Sequence, residues 1–178
     1  IGVLDDAINI AHQRFRMSGG KTRVDYAWIQ DGVARPTTGA DPDRYVGFGR
    51  EIARSEIESA IAASDGDDGA LLSGLGLINF ARAGYNSIAR PVSHGTHVLD
   101  LAAGSDLATA DANQRIVSVQ LPTIATADTS GALLGFFILC GVCYILERAR
   151  VISKELNEAV PVVVTLSYGL SGGPHDGC

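Results

Sequence analysis

Three short runs of apolar, largely β-branched residues constrain the fold of this chain most strongly. They lie at residues 1–4, 115–121 and 160–166, and each has the length of a strand. Segments with apolar residues at helical spacing separate the runs and begin near His94 and Gly131. Strands that alternate with helices are joined by right-handed crossovers and form a parallel sheet. The sequence therefore predicts an α/β fold with three αβα layers around a central parallel sheet.

The stretch between the first run and His94 gives weaker signals. Residues 16–48 are rich in Gly and Pro breakers, so we expect irregular structure there. Residues 50–63 carry Ile and Ala at helical spacing, which predicts an amphipathic helix. The acidic segment 65–69 lacks the later Glu of a calcium-binding loop and is expected to be a solvated turn. Residues 71–80 are expected to form a strand or to line a pocket.

Composition excludes several classes of protein. The chain has 178 residues, of which 46% are hydrophobic, enough for one domain with a core. Its net charge of −6 offers no electrostatic attraction to nucleic acid. The most apolar segment, residues 133–146, is shorter than the roughly 20 residues that cross a membrane. Cys140 and Cys143 lie within this segment and are expected to be buried thiols rather than a disulfide or zinc pair.

Polar residues follow the predicted strands. Asp5 comes directly after the first run, and Ser167, Tyr168 and Gly169 come after the last. His94 opens a predicted helix, which places it at the same edge of the sheet, where open parallel sheets bind ligands. A helix N-terminus carries partial positive charge, so we expect His94 to be neutral and able to accept a proton. A carboxylate beside it would fix its tautomer and stabilise the cation once formed, so the pattern indicates activation of a nucleophile.

Other interpretations of these residues remain. His94 alone could be a hydrogen-bonded helix cap, and His94 with His97 could bind a metal. The metal interpretation is not favoured, because zinc peptidases place histidines four residues apart with a Glu between them. His97 lies on an adjoining helix face and is expected to be structural. Asp6 is interpreted as a solvated acid or as a residue that recognises a basic side chain.

Three segments carry a resemblance to a known family. Residues 1–8, Ile-Gly-Val-Leu-Asp-Asp-Ala-Ile, resemble the first-strand motif of the subtilisin-like serine peptidases, the subtilase family. Residues 94–98, His-Gly-Thr-His-Val, match the family's histidine motif and are the most specific part of the resemblance. Residues 163–169 are similar to the strand whose backbone pairs with substrate. The chain departs from the family at Ala7, where Gly is usual, and at residues 99–100, where Ala-Gly is usual.

The resemblance implies a serine endopeptidase that acts through an Asp/His/Ser triad. Asp5 would orient His94, which would act as base and then acid, and the substrate would lie against Ser167, Tyr168 and Gly169. It also implies that residues 1–178 form a partial catalytic domain lacking its C-terminal part, with residues 16–90 as a long insertion.

The sequence contains no Gly-Thr-Ser-x-x-x-Pro nucleophile motif and no later oxyanion Asn. The chain alone is therefore expected to be inactive, with its serine supplied from outside these residues. The alternative hypothesis is a degenerate, non-catalytic subtilase-like module that binds peptides or a partner protein.

Expectations about ligands and partners follow from the same resemblance. No cofactor and no metal site are expected in this chain, although a longer protein could hold calcium. The partner is expected to be a peptide or protein substrate, with no nucleic acid and no membrane. Because a partial core would leave a sheet edge and residues 133–146 uncovered, a homodimer is also expected. The compartment stays open, and only the resemblance favours a secreted or cell-envelope protein.

Overall fold

The computed structural model describes residues 1–33, 46–82, 87–89, 93–128 and 130–168. Within these ranges five strands form one sheet in the order β3-β2-β4-β1-β5. The strands are β1 (Gly2–Asp5), β2 (Val24–Ile29), β3 (Arg50–Ala53), β4 (Ile116–Gln120) and β5 (Val164–Leu166). The α-helices are α1 (Arg54–Ala63), α2 (Asp68–Gly74), α3 (His94–Ala103), α4 (Thr123–Thr126) and α5 (Leu134–Leu156).

Strand direction confirms the α/β fold and corrects one detail of it. β4 pairs in parallel with β1 and β2, and β1 pairs in parallel with β5. β3 pairs antiparallel with β2, with Ile29 opposite Arg50, so the sheet is mixed rather than wholly parallel. An antiparallel strand added at the edge of a parallel sheet is a common variation of such folds.

The helices cover both faces of the sheet, because successive side chains of β1 point to opposite sides. Val3 packs in a core cluster with Ile57 of α1 and Leu99 of α3. Leu4 packs in a second cluster with Ile145 of α5. The two clusters are the cores on either side of the sheet, and together they give the predicted three layers.

The stretch 16–90 is more regular than the sequence indicated. It contains β2, inside the segment expected to be irregular, and β3, at the start of the expected helix. It also contains α2 in place of the strand that was one expectation for residues 71–80. The other expectation, a pocket lining, is confirmed, because Ser73, Gly76 and Phe80 line a pocket. These elements build one end of the sheet and part of the core on one face. That the stretch is an insertion relative to the family stays a prediction.

Helix α5 differs from expectation at its cysteines. Both thiols are free, but Cys140 is only half-buried and Cys143 is exposed. Cys143 lies on the outer side of the helix, together with the exposed side chains of Leu139 and Leu146. The expectation of two buried core thiols is therefore wrong, because the apolar segment turns one side toward solvent. None of the helices in the described ranges has both the length and the apolar character that a bilayer crossing requires.

β5 is an exposed edge strand, although a short run of uncharged, β-branched residues is typical of a buried strand. It is last in the strand order, and none of the described residues pairs with its outer side. Val164 and Leu166 are 37% and 41% exposed, and Val163 is 65% exposed. No charged residue occurs between positions 159 and 168, so this edge lacks the charges with which edge strands usually prevent pairing.

We predict that this edge pairs with a second copy of the chain to form a two-fold dimer. Light scattering over a dilution series should show dimers at micromolar concentrations. Val164→Lys should shift the population to monomers, because it places a charge on the edge. Phe80→Lys, which changes an equally apolar but distant exposed residue, should leave the dimer intact. A monomer at all concentrations for the unchanged chain would show that the edge does not self-pair.

Candidate active site

Asp5 ends β1 and is held rigidly there. Its backbone carbonyl accepts a hydrogen bond from the Leu121 amide at 2.8 Å, which ties the strand end to the end of β4. Its side chain is 0% exposed, and its Oδ1 accepts a hydrogen bond from the Asp6 amide at 2.7 Å. A buried carboxylate at the end of a central strand has little freedom to move.

His94 is the first residue of α3 and meets this carboxylate. Its Nδ1 lies 2.8 Å from Asp5 Oδ1, although the two residues are 89 positions apart in the chain. The His94 side chain is 49% exposed, whereas that of Asp5 is fully buried. One side of the imidazole thus contacts the carboxylate, while the ring as a whole stays accessible to a reactant.

Close contact between the start of α3 and the turn after β1 determines this geometry. The Gly95 amide donates a hydrogen bond to the Asp6 carbonyl at 2.9 Å. A Cβ on Gly95 would collide with that carbonyl oxygen, so only glycine lets the helix approach so near. Thr96 Oγ1 donates to the Ala7 carbonyl at 2.7 Å and accepts from the Asn9 amide at 2.8 Å. Gly and Thr after the histidine therefore have a structural purpose.

The structure shows the local setting of Ala7 and of residues 99–100, the positions that depart from the subtilase pattern. Ala7 is buried and has a φ of 49°, in the left-handed region that glycine adopts more easily than alanine. Asp100 forms an ion pair with Arg14, 2.8 Å from its Nε, and Leu99 is fully buried in the core. The pair joins α3 to the segment that follows β1.

Burial and contact shift the titration of both partners upward. Burial raises the pKa of the Asp5 carboxyl, and the hydrogen bonds from His94 and the Asp6 amide oppose this shift. The hydrogen bond to Asp5 raises the pKa of the His94 imidazole, and partial burial opposes it. The carboxylate thus favours the charged imidazole, in the direction opposite to the helix end, which favours the neutral ring.

The residues after β5 also lie at this edge. The rings of Tyr168 and His94 meet edge to face, with centroids 6.3 Å apart. Tyr168 is half-buried against the apolar cluster that contains Leu121 and Leu134. Burial, and then the charges of Asp6 and Asp5, raise the pKa of its hydroxyl well above the usual range. Ser167 is exposed beside it, and Gly169 lies outside the described residues.

The sequence did not decide whether Asp6 is a solvated acid or part of the site. Asp5, Asp6 and His94 each present one possible ligand atom, and these atoms lie within 4.8 Å of one another. The charge of Asp6 also contributes to the raised pKa of the Tyr168 hydroxyl. His97 is exposed on α3. It does not belong to the group of possible ligands, which consists of Asp5, Asp6 and His94. No local sequence signal marks Asp6 beyond its position next to Asp5.

Comparison with known proteins supports the fold. No protein-family model and no curated protein matches the chain. Among solved structures, the chain is similar to the CspB protease of Clostridium perfringens, with a TM-score of 0.57 and 22% sequence identity. The match covers 99% of this chain but only 30% of that protease chain. At this identity the similarity shows that the chain shares its fold with a protease.

Gly95 provides a stability test of the close approach. Gly95→Ala should lower the free energy of unfolding by about 2 kcal/mol, because the new methyl group collides with backbone. Gly135→Ala is the matched control, since Gly135 is also helical but has open space around the added carbon. It should stabilise the chain by up to about 1 kcal/mol. Equal effects of the two changes in urea unfolding would show that α3 does not need glycine here.

The contact between Asp5 and His94 predicts a pH dependence. NMR titration of the imidazole should give a pKa for His94 above its ordinary value, and Asp5→Asn should lower it. Asp6→Asn should lower it less, because Asp6 contributes only through its charge. Since the folded state favours the imidazolium, this contribution to stability is full below about pH 6.5. It is lost as the pH rises through the raised pKa. An unshifted His94 would contradict the contact.

Proposed function

We propose that the chain supplies the Asp and His of a subtilisin-like serine endopeptidase. The observation that carries the proposal is the 2.8 Å contact between the buried Asp5 and the half-exposed His94. It lies at the carboxyl edge of a sheet whose fold is similar to that of a protease. The resemblance of residues 94–98 to the histidine motif of the subtilases adds support that is independent of the coordinates.

In this proposal each nitrogen of His94 has a separate task. With its proton on Nδ1, the imidazole donates to Asp5 Oδ1 and leaves the lone pair of Nε2 free. Nε2 can then take the proton of an attacking serine hydroxyl and later deliver it to the leaving amine. Asp5 stabilises the imidazolium between these steps, in agreement with the raised pKa of His94.

The remaining parts of the reaction lie outside these residues. The serine would come from sequence beyond them, attack the peptide carbonyl and form an acyl-enzyme that water hydrolyses. The three side chains of such a triad need no cofactor for this chemistry, and calcium would serve only the stability of a longer protein.

The peptide substrate would lie extended against Ser167, Tyr168 and Gly169, with its backbone bonded as an added strand. Tyr168 stands edge-on to His94, so its ring would border the substrate side chain nearest the cleaved bond. This position makes Tyr168 a candidate for limiting the size of that side chain.

A longer protein tests the peptidase proposal. When the expressed chain is extended beyond residue 178, it should react with a fluorophosphonate probe and cleave peptides. His94→Ala should reduce kcat by about 10⁶-fold and Asp5→Asn by about 10⁴-fold, as removal of these triad members does. His97→Ala is the control, because it removes an exposed histidine of the same helix and should leave kcat nearly unchanged.

The isolated 178-residue chain should not be labelled by the same probe. Labelling at one serine, lost in His94→Ala, would mean that the nucleophile lies within these residues and that the proposed division is wrong. An extended protein that binds peptides without being labelled would overturn the peptidase proposal in favour of a non-catalytic binding module.

A further inference from the structure

Asp5, Asp6 and His94 form a group of three possible metal ligands, and the proposed reaction uses only two of them. The reaction needs one oxygen of Asp5 and the imidazole, and it gives no task to the Asp6 carboxylate. Yet Asp6 brings a second carboxylate to within 4.8 Å of the other two ligand atoms. Two carboxylate oxygens and one imidazole nitrogen are donors that zinc accepts.

The second oxygen of Asp5 is an independent sign of a missing positive partner. Oδ1 takes both hydrogen bonds, from His94 Nδ1 and the Asp6 amide. Oδ2 is buried and has no hydrogen-bond partner among the described residues, in a side chain that is 0% exposed. A buried carboxylate oxygen without a donor costs free energy. A cation held at this carboxylate would therefore lower the free energy of the folded chain.

We propose that Asp5, Asp6 and His94 form a binding site for Zn²⁺ that blocks the general base. Two ligands about 2.1 Å from a tetrahedral zinc lie about 3.4 Å apart, so the Asp5–His94 contact need open only slightly. The Asp6 carboxylate would have to move toward the zinc, because ligand atoms of one ion lie closer together than 4.8 Å. A water molecule can complete the coordination, because the His94 side of the site is open to solvent.

Tyr168 lies next to two of the proposed ligands. Its ring stands against His94, and the charge of Asp6 acts on its hydroxyl. Contacts of this kind orient metal ligands and strengthen binding. Magnesium is a poor occupant of the site, because it takes oxygen ligands and keeps much of its water.

The inhibitory effect rests on the proposed function, whereas zinc binding itself does not. Zinc on Nδ1 of a neutral imidazole leaves the ring proton on Nε2. Nε2 then has no lone pair with which to accept the proton of a serine. Zinc would therefore disable the base by changing its tautomer, without blocking the peptide site after β5.

Calorimetric titration of the 178-residue chain with ZnCl₂ tests the site. The three cysteines are replaced by serine and no histidine tag is used, so that thiols and a tag cannot bind the zinc. We expect one zinc per chain and no binding of MgCl₂. Asp6→Asn and His94→Ala should each weaken zinc binding at least tenfold, whereas His97→Ala should change it less than twofold.

Nitrogen NMR of the imidazole identifies the ligand atom, with a zinc-induced shift expected at Nδ1 of His94. No saturable binding, or binding that Asp6→Asn and His94→Ala leave unchanged, would overturn the proposal. The extended protein separates the two proposals. Zinc binding without fluorophosphonate labelling would refute the peptidase function alone, and labelling that zinc does not slow would refute the inhibitory site alone.

Discussion

The approach of α3 to the turn after β1 is the contact on which the candidate site depends. Gly95 bonds the Asp6 carbonyl with no room for a side chain, and Thr96 bonds the next carbonyl along that turn. These bonds place the first residue of the helix directly over the end of the strand. The distance between Asp5 and His94 is therefore determined by backbone contacts, which are stiffer than a contact between two side chains alone.

On one side of β1 the sheet continues through three further strands, and on the other side it ends after β5. β4 and β2 continue it beyond β1, and buried side chains fill both faces there. β5 ends it with an exposed, uncharged edge, and Tyr168 follows directly after that strand. A rigid, buried carboxylate thus lies next to a surface where an extended chain can add, which is the arrangement that recognition of a peptide backbone requires.

The sequence predicted the elements that follow local rules and missed those held by distant partners. β1 and β4 are apolar runs, and α3 and α5 have helical spacing, so each was identified. β2 and β3 were missed because they carry charged residues that face the interior. Asp25 is bonded by Arg115 at 2.5 Å, and Glu51 by Arg148 at 2.8 Å, from residues at least 90 positions away. The closeness of Asp6 to His94 could not be predicted either, since it depends on how α3 meets the turn after β1.

Unequal burial within the pair determines what each member can do. The Asp5 side chain is fully buried, so the hydrogen bond from His94 is one of the few contacts that offset its burial. His94 keeps half of its surface exposed, so it can exchange a proton with a reactant or give up its proton position to a metal. In the proposed peptidase this buried carboxylate would strengthen the base, and in the proposed zinc site it would also attract a cation. The position of Asp6 would decide between the two, because Asp6 brings a second carboxylate to the same place.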